Sequence, residues 1–462
     1  MSTHDDAPPP SLVQESSPHV DAGPVTEARE PRGAGDWDLL ELPVTDDTLA
    51  SGLRVLVYPR KTASRVAVYL TYDVGARDDP PGRAGMSHLI EHLMFRGTQA
   101  YPRQEIDRLT RACGGRNNAY TTHDQTVYHF LLPPDNWQWV LAAEFDRMLG
   151  CKFQPDAFAA EKDVVLRELE DHADDPEFRL ADRASARFFG SSHPYAGDVL
   201  GRREEIAAIT CAEAQTFYER HYRPERATLV IAGPVEPTDV LKATRSAVPT
   251  DRRPRPLGEE ETREIERSGS RRITSVRDLS TESNGGPASP GVEGSQSVGQ
   301  RTTARRAKTD VVRRGPEGEL PSRLVCEQET HVDRIFLHHP APGPGDPDEP
   351  AMIVLDRLLG GSETARLIRE LHEDRPLLSD VGTHYHRRAL CAEHIIVAET
   401  RSAEEREEAI VAIDEILRDV ASNGPDADLL ETVKTGILCE HIYGLDKIDE
   451  IAGEIADSIA LH

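Results

Sequence analysis

Residues 85–98 have the sequence GMSHLIEHLMFRGT. Apolar residues recur through this stretch at helical spacing and predict an α-helix that packs one face on a core. His88, Glu91 and His92 occupy positions i, i+3 and i+4, so their side chains share one helix face about a turn apart. Two imidazoles at that separation suit a tetrahedral zinc ion, and a carboxylate beside them can take a proton from water. The stretch therefore predicts a metal-binding helix.

The five-residue pattern His-x-x-Glu-His also has a plain structural explanation. The chain contains 18 histidines, and we estimate that composition alone would produce such a match in roughly one chain in ten to twenty. If the match arose by chance, the segment is an ordinary surface or core helix that carries two histidines. A third metal ligand elsewhere in the chain would favour the metal site.

A third ligand is available in a second helical segment, residues 155–170. Within it, Glu161 and Glu168 are seven residues apart, which corresponds to about 10 Å along one helix face. One of the two can ligate zinc while the other orients a ligand or tunes its charge. Taken without the upstream motif, a glutamate-rich helix is usually a solvated face. Together the two segments predict a zinc site of two histidines and one glutamate.

The motif His-x-x-Glu-His is the mark of the inverzincins, and the sequence around it resembles the pitrilysin, insulinase and mitochondrial processing peptidase family. The matching segments follow the family order along the chain. The similarity is strong over residues 38–250 and weaker over residues 325–460. The segments that carry it are Gly75–Asp78, Gly85–Thr98, Gly114–Thr121, Glu161–Glu168, Gly201-Arg202 with Ile206 and Ile209, Phe217-Tyr218, Tyr222-Arg223-Pro224 and Leu229–Gly233.

The resemblance implies a role for each candidate site residue. His88, His92 and Glu168 would be the ligands of one zinc ion per chain, with Glu168 placed 76 residues after His92 as in the family. Glu91 would be the general base that activates water, and Glu161 the supporting glutamate next to the ligands.

The resemblance also implies a substrate contact, a fold and an activity. Asn118 and Ala119 match a strand-edge position that holds the substrate backbone, which fits the way an edge strand receives a peptide by strand addition. The expected fold class is α+β, with two related α/β sandwich domains of helices on a mainly antiparallel sheet. The expected activity is that of a zinc-dependent metalloendopeptidase acting on short or unfolded polypeptides.

Local patterns predict helices and strands that mix without a strict βαβ repeat, which also favours an α+β sandwich. Thr210 followed by Glu213 predicts a capping box at the start of one helix. In the first half we predict strands at 53–58, 66–72 and 226–232, a strand or hairpin at 118–132, and helices at 103–113, 136–149, 157–172, 180–189 and 211–221. In the second half we predict strands at 334–337, 381–385 and 394–398, and helices at 351–359, 363–373, 403–420 and 427–443.

Composition divides the chain into four parts. Residues 1–36 are rich in Pro, Ser, Gly and acidic residues, lack the apolar segment of a secretory signal, and predict a disordered acidic tail. Residues 37–250 are the predicted zinc-binding catalytic domain. Residues 251–322 are basic and rich in Ser and Gly, and predict a flexible linker or insertion, either solvated or acting as a basic arm. Residues 323–462 predict a second, inactive peptidase-like domain with an incomplete C-terminus.

Charge and cysteine usage limit the partners. The net charge of −27 argues against nucleic acid and anionic membranes, and it favours basic peptides, unless the acidity serves only solubility. No apolar run is long enough for a membrane span. The six cysteines are scattered without a Cys-x-x-Cys pair, which predicts free, mostly buried thiols. With no signal peptide or span in view, we expect a cytoplasmic protein.

The second half departs from the family where active members typically have an arginine and, seven residues later, a tyrosine that reach the substrate. This chain has His372 and Ser379 there, and Arg369 and Tyr385 do not have that spacing. The departure suggests a heterodimer with a related subunit that supplies the arginine and tyrosine; a homodimer is the alternative assembly. The alternative function is therefore a non-catalytic or partner-dependent subunit of a heteromeric processing peptidase that binds peptides.

Overall fold

The computed structural model describes residues 42–173, 175–248, 306–313, 322–329 and 333–461. The predicted tail, residues 1–36, and most of the predicted linker, residues 251–322, lie outside these ranges. The described residues form an α+β architecture in which helices pack on two mainly antiparallel sheets, as predicted.

The first half contains a six-stranded sheet and eight helices among the described residues. The strands are β1 (Thr45–Thr48), β2 (Arg54–Pro59), β3 (Val66–Tyr72), β4 (Arg116–Thr121), β5 (Thr126–Leu132) and β6 (Ala227–Gly233). The helices are α1 (Met86–Met94), α2 (Glu105–Ala112), α3 (Gln138–Gly150), α4 (Pro155–Ala173), α5 (Pro176–Phe189), α6 (Arg203–Ala208), α7 (Cys211–His221) and α8 (Pro237–Ala247). The strand order is β1-β2-β6-β3-β5-β4, with β2 and β6 parallel and the other neighbours antiparallel.

The second half contains a five-stranded sheet among the described residues. Its strands are β7 (Arg306–Arg313), β8 (Ser322–Glu329), β9 (Asp333–Ala341), β10 (Asp380–Arg387) and β11 (Ala392–Thr400). Its helices are α9 (Glu349–Leu359), α10 (Arg366–Ile368), α11 (Ala403–Asn423), α12 (Ala427–Gly444) and α13 (Ile448–Leu461). The strand order is β10-β11-β9-β7-β8, and β7 runs parallel to β9.

Each half packs one helix on the sheet of the other half. Leu180 and Ala184 of α5 contact Phe336 of β9 and Ile395 of β11. In return, α13 lies against β3 and β6 of the first sheet, where the Tyr69 hydroxyl donates a hydrogen bond to the carbonyl of Asp449 at 3.1 Å. Because apolar surface of both halves is removed from water, this exchange of helices stabilises the junction between the halves.

Two predicted elements differ from the structure. Residues 306–313, inside the predicted linker, form strand β7, because Thr309 and the following Val311-Val312 supply β-branched residues within an otherwise basic stretch. The helix predicted at 363–373 is α-helical over Arg366–Ile368 alone and continues as a π-helix. Past the end of the π-helix, the Leu371 carbonyl accepts hydrogen bonds from the N–H groups of residues 377 and 378 at 3.0 and 2.9 Å, which anchors the segment that follows.

The cysteines whose side chains are described are free thiols, as predicted, but most of them are not buried. Cys151 is buried, Cys439 is exposed, and Cys113, Cys211 and Cys391 are half-buried. The reason is that several lie on helices or loops at the surface of the two sandwiches. Among the described residues, no helix is long and apolar enough to cross a membrane; the cytoplasmic location stays a prediction.

Candidate metal centre

The predicted metal-binding helix is α1. It begins after Gly85, whose φ of 91° lies in the left-handed region, and a Cβ atom there would lie 2.7 Å from the Leu200 carbonyl oxygen. The Asp79 carboxylate accepts hydrogen bonds from the N–H groups of Gly85, Met86 and Ser87 and from the Ser87 hydroxyl, at 2.7–3.1 Å. Since a negative group is favourable at a helix N-terminus, Asp79 fixes where α1 starts. Burial raises the pKa of Asp79 to about 7, and its hydrogen bonds oppose that shift.

Three of the predicted residues converge between α1 and α4. Nε2 of His88 lies 3.2 Å from Nε2 of His92. The Glu168 carboxylate oxygens lie 3.3 Å from His92 Nε2 and 3.9 Å from His88 Nε2. Ligand atoms around a tetrahedral zinc ion, with bonds near 2.1 Å, are separated by about 3.4 Å. The three side chains therefore have donor types and spacings that fit zinc.

This cluster stands out in the part of the chain that the structure describes. There it is the one group of three or more His, Cys, Asp and Glu side chains whose ligand atoms all lie within 4.8 Å of one another. His88 is 7% exposed, and burial, together with the neighbouring His92, lowers its pKa to about 3. The imidazole is therefore neutral near pH 7, which is the form that binds metals.

Glu91 lies on α1 beside the two histidines and is 9% exposed. The Thr121 hydroxyl on β4 donates a hydrogen bond to Glu91 Oε2 at 2.6 Å. Burial raises the pKa of the Glu91 carboxyl, while the hydrogen bond from Thr121 acts in the opposite direction. A carboxylate with a raised pKa accepts a proton more readily at neutral pH, so the position and environment of Glu91 suit a general base.

The structure places Glu161 against Arg96, two residues beyond the end of α1. The Arg96 guanidinium donates to Glu161 Oε2, and Glu161 is 9% exposed. This pair joins α4 to the end of α1. The predicted supporting glutamate is thus placed to fix the two ligand-bearing helices relative to each other.

Asn118 and Ala119 lie on β4, at one edge of the first sheet. Their partners across the hairpin are His129 and Tyr128 of β5. Among the described strands, β4 has no neighbour on its other side, which is the arrangement that strand addition of a peptide requires. The substrate contact at these two residues stays a prediction.

His372 and Ser379 of the second half are engaged locally. His372 Nδ1 lies 3.1 Å from the Leu378 carbonyl oxygen. The Ser379 hydroxyl is buried and has no hydrogen-bond partner among the described residues, while its N–H donates to the Glu399 carbonyl at 2.8 Å. Neither side chain is a guanidinium or a phenol.

Two features near the site were missed in the sequence. One is the contact of Thr121 with Glu91. The alternation of side chains along the predicted strand that contains Asn118 and Ala119 was the available signal for it. The other is a fully buried ion pair between Glu144 and Arg147 on α3, whose guanidinium lies 4.2 Å from the centroid of the Tyr128 ring. An oppositely charged pair three residues apart on an apolar helix face was the available signal for it.

Comparisons with known proteins agree with this architecture. The family model described as Insulinase (Peptidase family M16) matches residues 54–195, and the model described as Peptidase M16 inactive domain matches residues 292–437. Together the two models cover more than half of the chain. The chain belongs to the M16 family of peptidases, with one insulinase-type and one inactive-type domain.

Individual relatives carry protease names. An uncharacterized zinc protease of Mycobacterium leprae is 28% identical over 334 residues, which are 72% of this chain and 64% of that protein. The probable mitochondrial-processing peptidase subunit beta of Arabidopsis thaliana is 27% identical over 198 residues, 43% of this chain and 37% of that protein. A solved structure of a protease from Helicobacter pylori shares the fold, with a TM-score of 0.70 and 22% identity over 90% of this chain and 89% of that chain. The chain spans less than two thirds of the mycobacterial relative.

Proposed function

We propose that this protein is a zinc-dependent metalloendopeptidase. The observation that carries the proposal is the convergence of His88, His92 and Glu168, with their donor atoms 3.2–3.9 Å apart and Glu91 on the same helix face as the two histidines. The zinc protease names of the relatives support the same reading. Three protein ligands is the number typical of catalytic zinc sites, since structural sites usually have four.

The two imidazoles and the Glu168 carboxylate would hold the ion. When bound, zinc would supply Lewis-acid polarisation of the scissile carbonyl and would make a nearby water more acidic. Burial keeps His88 neutral and able to bind the metal. The residues present therefore fit the cofactor that the family implies.

Glu91 would perform the proton transfers. It takes a proton from the attacking water as the new C–O bond forms, and it returns that proton to the leaving amine as the C–N bond breaks. The Thr121 hydroxyl occupies Oε2, which orients the carboxylate and leaves Oε1 to take the proton. The raised pKa of Glu91 favours this temporary protonation.

The proposed substrates are short or unfolded polypeptides. An extended chain could pair with β4 at Asn118 and Ala119, because β4 is an edge strand whose last residue, Thr121, contacts Glu91. Backbone pairing of this kind requires an unfolded segment, since a folded substrate has already used its backbone hydrogen bonds.

A partner-dependent subunit is the second candidate function. Its support is the pair His372 and Ser379, which stand where active members have an arginine and a tyrosine. A heterodimer with a related subunit would supply the two missing side chains, whereas a homodimer would repeat His372 and Ser379. One relative is named as the beta subunit of a processing peptidase. Equal specific activity of the single chain and of any reconstituted pair would exclude this candidate.

The test is zinc content together with hydrolysis of a quenched fluorescent peptide library. Wild type, Glu91→Gln and the control Glu170→Gln are compared, each with and without a chelator. Glu170 is an exposed residue of α4 that pairs with Arg203. We expect about one zinc per chain in all three, with cleavage lost in Glu91→Gln and in the chelated samples. Cleavage that survives both Glu91→Gln and metal removal would overturn the proposal.

A further inference from the structure

The β4–β5 hairpin connects the candidate general base to the junction between the halves. Its strand β4 carries Thr121, whose hydroxyl donates to Glu91 at 2.6 Å. The hairpin turn, residues 122–125, is closed by Thr122, whose hydroxyl accepts hydrogen bonds from two N–H groups of the turn at 3.1 Å. Because the turn is closed by its own hydrogen bonds, a displacement of the turn is transmitted to Thr121.

On one side the hairpin turn is seated on the first half. The N–H groups of Ala76 and Arg77 donate to two carbonyl oxygens of the turn at 3.0 and 2.9 Å. A Cβ atom at Gly75 would lie 2.5 Å from both of these oxygens, so the close approach requires glycine. The Arg77 guanidinium also donates to Asp124 Oδ1 at 2.7 Å.

On the other side the turn is joined to the second half, both directly and through Tyr195 of the first half. Asp124 is 6% exposed, and its carboxylate accepts hydrogen bonds from the Tyr195 hydroxyl at 2.5 Å and from the Ala389 N–H at 3.0 Å. The Tyr195 hydroxyl in turn accepts a hydrogen bond from the Leu390 N–H at 3.1 Å. We name residues 388–391 the docking loop, since their backbone contacts both Asp124 and Tyr195.

The docking loop is itself fixed to the second sheet. The Arg388 guanidinium lies 5.3 and 5.2 Å from the ring centroids of Phe189 and Tyr195. It also pairs with Glu393 at 3.1 Å, and Glu393 contacts His338 Nδ1 at 3.0 Å. Glu393 and His338 are both buried. The position of the docking loop therefore depends on how the second half packs against the first.

We propose that Asp124 and Tyr195 are positioning residues, which couple the seating of the second half to the hydrogen bond between Thr121 and Glu91. The inference rests on the proposed peptidase function. When the docking loop moves away, the buried Asp124 carboxylate loses a donor, and leaving a buried acceptor unsatisfied is costly. The turn then shifts, and Thr121 no longer holds the base. The inactive-type half thus takes part in orienting the base.

The first test is Tyr195→Phe, which keeps the aromatic ring and removes only the hydroxyl. The matched control is Asp446→Asn, because the ion pair of Asp446 with Arg60 at 2.6 Å also joins the halves but does not involve the hairpin turn. We expect kcat to fall at least about tenfold in Tyr195→Phe, with KM and zinc content unchanged, since small displacements of a catalytic group have effects of this size. The control should retain the kinetics of wild type.

A double-mutant cycle with Thr121→Val separates coupling from a general loss of structure. If Tyr195 acts through Thr121, Tyr195→Phe has no further effect on kcat once the hydroxyl of Thr121 is gone. An equal fold-loss in both backgrounds would overturn the proposal. Asp124→Asn serves as the second variant if Tyr195→Phe does not fold.

Hydrogen exchange gives an answer that does not depend on peptide cleavage. Amides of the hairpin turn should exchange faster in Tyr195→Phe than in wild type, and Asp446→Asn should leave them unchanged. If wild type cleaves no peptide, the proposed function fails, and unchanged exchange in Tyr195→Phe would then separately refute the coupling.

Discussion

Nε2 of His88 and Nε2 of His92 lie 3.2 Å apart, with the two rings at 76° to each other. The separation follows from one turn of helix α1, so it needs no contact from the rest of the molecule. The third donor does need such contact, since Glu168 comes from α4. The candidate site is thus one local pair completed by one long-range partner.

Removal of the Glu168 carboxylate is expected to weaken zinc binding strongly. Loss of a residue that only hydrogen-bonds to a metal ligand typically lowers metal affinity about 10- to 100-fold. Glu168→Gln removes a ligand itself and should lower the zinc affinity by more than that. Competition with a chromophoric chelator measures this. The exposed neighbour variant Glu170→Gln should bind zinc as wild type does, and a Glu168→Gln protein with unchanged affinity would remove Glu168 from the ligand set.

Acid is expected to destabilise the protein through His221. Burial, together with the Arg226 guanidinium, lowers the pKa of His221 to about 2. The unfolded chain therefore binds a proton near pH 6.5 that the native state does not, so stability decreases as pH falls below 6.5. Between pH 7.5 and 4.5 this group should account for about 3 kcal/mol.

The measurement is the free energy of unfolding in urea at both pH values for wild type and His221→Gln. Wild type should lose about 3 kcal/mol more than the variant on acidification, since glutamine does not titrate. An equal loss in both proteins would contradict the prediction. Metal-free protein is used, so that zinc release does not contribute.

The buried pair of Glu144 and Arg147 is expected to be sensitive to the loss of one member. Arg147→Met leaves the Glu144 charge without its partner. Because both side chains are at most 2% exposed, the free energy of unfolding should fall by about 3–5 kcal/mol. The double variant Glu144→Leu/Arg147→Met should recover much of that loss. The free energy of unfolding in urea is measured for wild type, the single variant and the double variant. A single variant as stable as wild type would refute the prediction.

The helix exchange is expected to contribute to stability. Leu180→Ala removes apolar contact between α5 and the second sheet, and Leu180 is 2% exposed, so the loss should be about 2–5 kcal/mol. Hydrogen exchange should increase in β9 and β11. As a control, Val411→Ala changes a side chain that is 54% exposed, and it should stay within about 0.5 kcal/mol of wild type.

Several features were readable from the sequence because they depend on neighbours in the chain. The limits of β3 are those predicted, Val66–Tyr72, since a run of β-branched and aromatic residues has a strong local preference. The capping box was also confirmed, with Thr210 accepting from the Glu213 N–H at 3.2 Å and the Thr210 N–H donating back to Glu213 at 2.8 Å. The helical face that carries His88 and His92 could likewise be predicted, because it depends only on spacing along the chain.

Other features could not be read along the chain, because they depend on how distant segments pack. Helical spacing alone left open which glutamate lies beside the imidazoles, and the family resemblance favoured Glu168; the packing of α4 on α1 places Glu168 there and Glu161 against Arg96. The contact of Thr121 with Glu91 spans 30 residues, and that of Asp124 with Ala389 spans 265. Helical and strand periodicity determined which side chains share a face. Only the tertiary structure decided which faces meet, because that choice is set by burial and hydrogen bonding across the whole chain.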